Sequence, residues 1–286
     1  MSLFDAIVQA ILQGLTEFLP VSSSGHLSLY QHFTGNNAEG ALMFSAVLHL
    51  GTLVAVFFAF RKDIWELIKE LGNICKDIVK RRFTFKEMNP QRRMIMMIIL
   101  SCFCLLPFAL FKDWFESVGE DASIFAEGLC FLYTAAILFM SDKCHKGNKK
   151  AGDITVKDSV TVGLFQGVAL LPGVSRSGST ISAGLFSGFS RETSVKYSFI
   201  LGIPVIMLSC IMEVADAASS NVQVGAVNCI VGFIVAAAVG VLAIKAVSWL
   251  VKTDKFKVFA FYTFGLGCVV ILVSFIEFCM GHPITF

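Results

Sequence analysis

Along most of this chain apolar residues neither alternate nor recur on one helical face; they come in unbroken runs. Six runs are long enough to cross a bilayer, which takes about 20 residues. They are residues 41–60, 94–111, 122–140, 197–212, 224–244 and 258–276, the fourth extended by Val195 and Val214. Two further apolar stretches are interrupted. Residues 3–33 break at Leu19-Pro20-Val21-Ser22-Ser23-Ser24-Gly25, and residues 159–189 break at Leu171-Pro172-Gly173-Val174-Ser175-Arg176-Ser177-Gly178. A half-helix, a Pro/Gly/Ser break and a second half-helix predict a re-entrant hairpin. Irregular backbone at membrane depth is tolerated only where it is buried in protein or lines a wet cavity.

The two breaks are copies of one another. A shift of 153 residues places Gln13 on Gln166, Gly14 on Gly167, Val21 on Val174, Ser22 on Ser175, Ser24 on Ser177 and Gly25 on Gly178 without a gap. Each copy is followed by three of the six spans. The predicted fold is therefore an all-α polytopic membrane protein with an inverted-topology repeat, each half a re-entrant helical hairpin plus three transmembrane helices. Residues 1–145 form the first half and 146–286 the second, within one integral-membrane domain. The inversion follows from parity: a hairpin returns to its starting side and three crossings do not. Folds of this kind place their sites where the broken helices meet near the midplane.

Composition agrees: of 286 residues 56% are hydrophobic and only 15% charged, against about 25% in soluble domains. A soluble enzyme and a disordered chain are excluded, and a net charge of +2 gives no basic field for nucleic acid. The N-terminus lacks the basic region of a cleaved signal peptide. Nine cysteines without a CxxC pair read as small hydrophobes, with neither disulfides nor a zinc site expected. Lys and Arg concentrate in residues 61–93, in 142–158 (Lys146 among them) and around Lys252, Lys255 and Lys257; residues 112–121 are net acidic, and the turn near Glu213 and Asp216 has no basic residue. Basic loops face the cytoplasm, so both termini and the first hairpin open outward and the second hairpin opens inward. Ile64, Leu67, Ile68, Leu71, Ile74 and Ile78 recur at helical spacing and predict an interfacial amphipathic helix.

Hairpins meeting tip to tip bring together two helix N-termini, which carry free N–H groups and partial positive charge and so favour phosphate. Arg176 adds a permanent fork suited to phosphate oxygens. The first hairpin carries Glu17 and His26 and no Arg. Glu17 suits either a functional carboxylate or a structural counter-ion of Arg176, and His26 either acid–base work or a satisfied core position. Ser22 and Ser24 suit capping of the following half-helix or contact with a ligand. Ser23 and His26 lie three apart on one helical face, where the imidazole could assist the hydroxyl. Gln13 is one turn before Glu17 and could bond a ligand or a metal-bound water. His49 is read as packing, Lys245 as snorkelling, and Glu127 is left open.

These residues carry a family resemblance. Gln13-Gly-Leu-Thr-Glu17-Phe-Leu-Pro-Val-Ser-Ser-Ser-Gly-His26 resembles the (E/Q)xxxE plus PxSSxGH signature of bacterial undecaprenyl-diphosphate phosphatases, also called bacitracin-resistance proteins. Pro172-Gly-Val-Ser-Arg176-Ser-Gly-Ser-Thr180 resembles that family's PGxSRSxxT motif. The resemblance covers essentially the whole chain. It implies an enzyme of the bacterial plasma membrane, its site facing the periplasm, that removes the terminal phosphate of undecaprenyl diphosphate and recycles the carrier lipid for peptidoglycan and other envelope polymers. Glu17, Ser23, His26, Ser175, Arg176 and Thr180 carry over as site residues. Gln13 fills the E/Q position with an uncharged oxygen, and Ser22, Ser24, Ser177 and Gln166 join the expected binding set. The cofactor implied is a divalent cation, Mg²⁺ or Ca²⁺, held partly by Glu17. Ser23 is the expected nucleophile with His26 as base or acid; direct attack by His26, or by a water activated by Glu17 and His26, stays open. Expected partners are the polyprenyl diphosphate and membrane lipids, with no nucleic acid, and a homodimer is a candidate assembly. The rival reading is a polyprenyl-phosphate flippase, which needs an anion clamp but no serine and histidine beside it. An anion channel fits less well, because Glu17 would repel the permeant ion.

Overall fold

The structure, a computed structural model, describes residues 1–35, 41–84, 88–111, 114–115, 123–144, 147–219, 225–253, 255–282 and 284. The acidic stretch at 112–121, apart from 114–115, and Lys146 lie outside the described residues. The first hairpin is α1 (Leu3–Thr16) and α2 (Ser23–Thr34). A capping box of Ser2 and Asp5 starts α1, and Gly35 at φ 63° ends α2. Next come α3 (Ala41–Ala59), α4 (Arg61–Val79), α5 (Pro90–Phe103), a single turn α6 (Leu106–Ala109) and α7 (Phe125–Asp142). The second hairpin is α8 (Val156–Val168) and α9 (Arg176–Phe186), followed by α10 (Arg191–Ser219), α11 (Ala226–Lys252) and α12 (Lys257–Met280).

Among the described residues six helices are long and apolar enough to cross a membrane, so the chain is an all-α, multi-pass membrane protein. Their ends depart from the hydropathy runs in instructive ways. The second run, expected to reach residue 111, breaks at Cys104 and resumes as α6, because Pro107 offers no N–H and its ring crowds the carbonyl one turn back. The fourth, expected at 197–212, runs from Arg191 to Ser219 with Pro204 inside it. Glu213 therefore lies in a helix rather than in an outer turn. The amphipathic helix forms as α4: Ile64, Leu67 and Ile74 face the protein, while Ile68, Leu71 and Ile78 face outward.

Helices gain little hydrophobic energy by leaving lipid for one another, so close packing and hydrogen bonds hold the bundle. α1 packs on α11, α8 on α5, α3 on α10 and α11, and α7 on α12. A core of Phe18, Val21, Ile181, Phe199 and Val247 fills the space beneath the breaks, with the Phe18 and Phe199 rings edge-on at 5.5 Å. The breaks brace each other across the middle. Gly173 N–H donates to Ser24 Oγ at 3.1 Å, and Ser177 Oγ donates to the Leu19 carbonyl at 3.1 Å. Ser24 and Ser177 are 153 residues apart, so matching serines reach in opposite directions across the same seam. Gly173 turns at φ 91°, a conformation that favours glycine.

Candidate active site

The same two caps open both inner half-helices. Ser22 Oγ accepts Gly25 N–H at 3.2 Å, and Ser175 Oγ accepts Gly178 N–H at 3.0 Å. Each satisfies one orphan donor of a helix start and leaves the first N–H groups without an intrahelical acceptor. Ser22 does so at φ 74°, costly backbone for a residue with a Cβ. Ser175 N–H is itself held by Thr134 Oγ1 at 3.2 Å.

Between the helix starts lies one buried carboxylate. Glu17 Oε1 accepts from Arg176 Nη2 at 2.5 Å, while Oε2 accepts from Ser23 Oγ at 2.9 Å and from Gln13 Nε2 at 3.1 Å. Arg176 also reaches the Ser198 carbonyl, and its guanidinium lies against Gly202 of α10, where a Cβ would collide with it. Thr180 Oγ1 bonds Ser198 Oγ at 2.6 Å and the Arg176 carbonyl at 2.9 Å, fixing α9 to α10 beneath the clamp. Glu17 is 8% exposed and Arg176 14%, whereas Ser23 is half-buried and Ser24, next to it in the chain, is exposed. Exposure thus rises from the buried carboxylate toward the start of α2.

Of the expected residues, Gln13, Glu17, Ser23 and Arg176 converge on these few atoms. His26 does not join them as expected. Its Nδ1 bonds the Ser22 carbonyl at 2.6 Å, its Nε2 bonds Tyr262 Oη at 2.7 Å, and its ring stacks on Tyr262. The hydroxyl of Ser23 is bonded to Glu17 instead, because the carboxylate stands directly opposite the α2 start while the imidazole is drawn back over its own first turn. Ser22 and Ser175 cap, and Ser24 and Ser177 form the brace. Gln166 is buried with both amide atoms unpartnered among the described residues, and no bond links it to the cluster.

Three participants escaped the sequence reading. His49, read as packing, faces Glu17 Oε2 across 4.0 Å and bonds Glu213 at 3.1 Å. Glu213 also accepts from Ser45. Gly202 gives Arg176 its room. An ionisable pair inside two apolar spans was the available signal. Glu127 accepts from Ser28 at 2.7 Å, and Lys245 is exposed on α11.

A divalent cation would find its donors in Glu17 and in Gln13 Oε1, a buried oxygen without a hydrogen-bond partner among the described residues. Among the described residues no group of three acidic, His or Cys side chains could hold an ion by itself. The set suits an ion completed by phosphate oxygens and water, as Mg²⁺ commonly is.

Comparison with known proteins agrees with this geometry. Residues 6–269 match the family described as bacitracin resistance protein BacA. The chain is 37% identical over 276 residues to a protein of Alkaliphilus metalliredigens named undecaprenyl-diphosphatase, covering 96% of this chain and 99% of the relative. A Methanobrevibacter smithii protein of the same name is 38% identical over 282 residues, covering 96% and 98%. Undecaprenyl-diphosphatase 4 of Bacillus thuringiensis subsp. konkukian is 35% identical over 279 residues, covering 97% and 99%. With two half-helix starts facing one carboxylate and a match running nearly end to end, this chain belongs to the bacitracin resistance protein BacA family.

Proposed function

We propose that this protein hydrolyses undecaprenyl diphosphate to undecaprenyl phosphate and inorganic phosphate at the outer face of the bacterial plasma membrane. It thereby recycles the carrier lipid of peptidoglycan synthesis, and its abundance raises bacitracin resistance. The reading rests on one observation above all: a buried carboxylate that holds a serine hydroxyl at 2.9 Å on one hairpin and a guanidinium at 2.5 Å on the other.

The diphosphate head enters at the exposed start of α2, by Ser24, while the polyprenyl tail stays in lipid. Arg176 and the N–H groups at the starts of α2 and α9 take the phosphoryl oxygens and stabilise charge as it develops. Ser23 Oγ attacks the terminal phosphorus, and its proton passes to Glu17 Oε2, already its hydrogen-bond acceptor. The bridging P–O bond breaks toward the lipid monophosphate, and water then releases phosphate from the serine. A bound divalent cation, Mg²⁺ or Ca²⁺, would supply charge neutralisation at Glu17 and Gln13 Oε1. In this reading His26, bonded to Tyr262, exchanges protons with the departing phosphate rather than activating Ser23. The two halves act as inverted copies that have diverged, one bringing acid–base groups and the other the clamp.

Phosphate release from a C15 or C55 polyprenyl diphosphate by purified protein, with and without EDTA, tests the reading. Release should be chelator-sensitive, and Ser23→Ala should lose orders of magnitude in kcat. Substantial turnover by Ser23→Ala would point to water as the nucleophile. A wild type that releases no phosphate would point to the flippase.

A further inference from the structure

A chain of polar groups runs from α10 through α3 to the reactive carboxylate. Ser45 Oγ donates to Glu213 Oε1 at 2.9 Å, and His49 Nδ1 meets Glu213 Oε2 at 3.1 Å. A carboxylate only accepts, and the ring stands between two of them, so both Nδ1 and Nε2 act as N–H donors, as in the imidazolium form. The opposite ring nitrogen then points at Glu17 Oε2, 4.0 Å away. His49 and Glu213 are only 19% and 20% exposed, and both sit in predominantly apolar membrane-length helices. The array consists of one hydroxyl, one carboxylate and one imidazole taken from two helices.

Its consequence lies in the orientation of Glu17. Arginine and carboxylate favour two parallel hydrogen bonds. Here Glu17 gives Arg176 one oxygen and turns the other away, toward Ser23, Gln13 and His49. A fork-to-fork pair would pull Oε2 off Ser23 and occupy the donors that a phosphate needs. We propose that Ser45, Glu213 and His49 form a positioning array that holds Glu17 to a single contact with Arg176, keeping Ser23 in reach of the carboxylate and the guanidinium open to the diphosphate. The inference rests on the phosphatase reading. It assigns no proton transfer to His49, which acts through Glu17.

The test uses the full chain purified in detergent and phosphate release from a C15 polyprenyl diphosphate. His49→Leu should lower kcat by about 10–100-fold, as loss of a supporting partner does, and should raise KM. His49→Gln offers two N–H donors to the two carboxylates and should restore kcat to within about threefold of wild type. Glu213→Leu should lower kcat by about tenfold and add nothing on top of His49→Leu, because both act through one contact. A packing role reverses the first pair, with Leu tolerated at least as well as Gln. That result, or multiplying losses in the double variant, overturns the array while leaving the phosphatase reading intact. If His49→Leu does not elute as a single species, Glu213→Gln carries the test: it should lower kcat about tenfold, and an unchanged kcat overturns the array. A wild type without phosphate release overturns the phosphatase reading itself, and the array with it.

Discussion

Arg176 binds the atoms of both hairpins into one site, so its replacement is the sharpest residue-scale test. Arg176→Ala should reduce phosphate release by about 10²-fold or more while the protein still inserts, since an electrostatic clamp on a transferring phosphoryl group is worth that much. Arg176→Lys should recover little, because a point charge cannot hold Glu17 and a phosphate at once. Activity near wild type in Arg176→Ala would reduce the residue to a counter-ion. Glu17, Ser23 and Arg176 were legible in the sequence because two polar breaks in register announce each other. His49 and Glu213 were not. His49 lies in one apolar run and Glu213 just past the end of another, 164 positions apart, and only the packing of α3 on α10 brings them together. The expected pairing of Ser23 with His26 rested on helical spacing, which places two side chains on one face without saying which neighbour captures the hydroxyl.

At the scale of elements, hydropathy located every span and misjudged most ends. Basic residues end the apolar runs, yet the helices extend to Arg191, Lys252 and Lys257, whose long cationic side chains are of the kind that snorkel. The tight contact of α10 with Arg176 gives a specific expectation. Gly202→Ala should displace the guanidinium and lower kcat by about 10²-fold, the scale of a 1 Å misplacement, with the fold retained by circular dichroism. α4 is tied to α5 by Arg92, which bonds Glu70 and Asp77, each at 2.7 Å. Burial pushes the Glu70 carboxyl up, but hydrogen bonds from Asn73 and Arg92 outweigh it and leave it below the ordinary carboxylate value. Its stabilising contribution is therefore complete above that ordinary value and is lost as pH falls through the lower folded one. Glu70→Gln should melt below wild type at neutral pH, and the gap should close below about pH 4. A constant gap across a thermal-unfolding series in pH would remove the carboxylate from that role.

For the whole molecule, parity and loop charge set an expectation that the packing by itself does not address: which face is outside. In a cysteine-free background, Arg81→Cys should be shielded from an impermeant thiol reagent added to intact cells, and His282→Cys should be labelled. Labelling of the first from outside would reverse the orientation and turn the exposed start of α2 toward the cytoplasm. The brace between the breaks has a further consequence, for the membrane around the protein. Ser24 and Ser177 fasten each hairpin to the other's tip, so the separation of the reacting groups is set by tip-to-tip bonds and not by the placement of either hairpin alone. Spans can tilt to follow a thicker or thinner bilayer while the two tips move as one body. The expected consequence is a Ser23–Glu17 distance that stays the same whether the surrounding lipid chains are long or short.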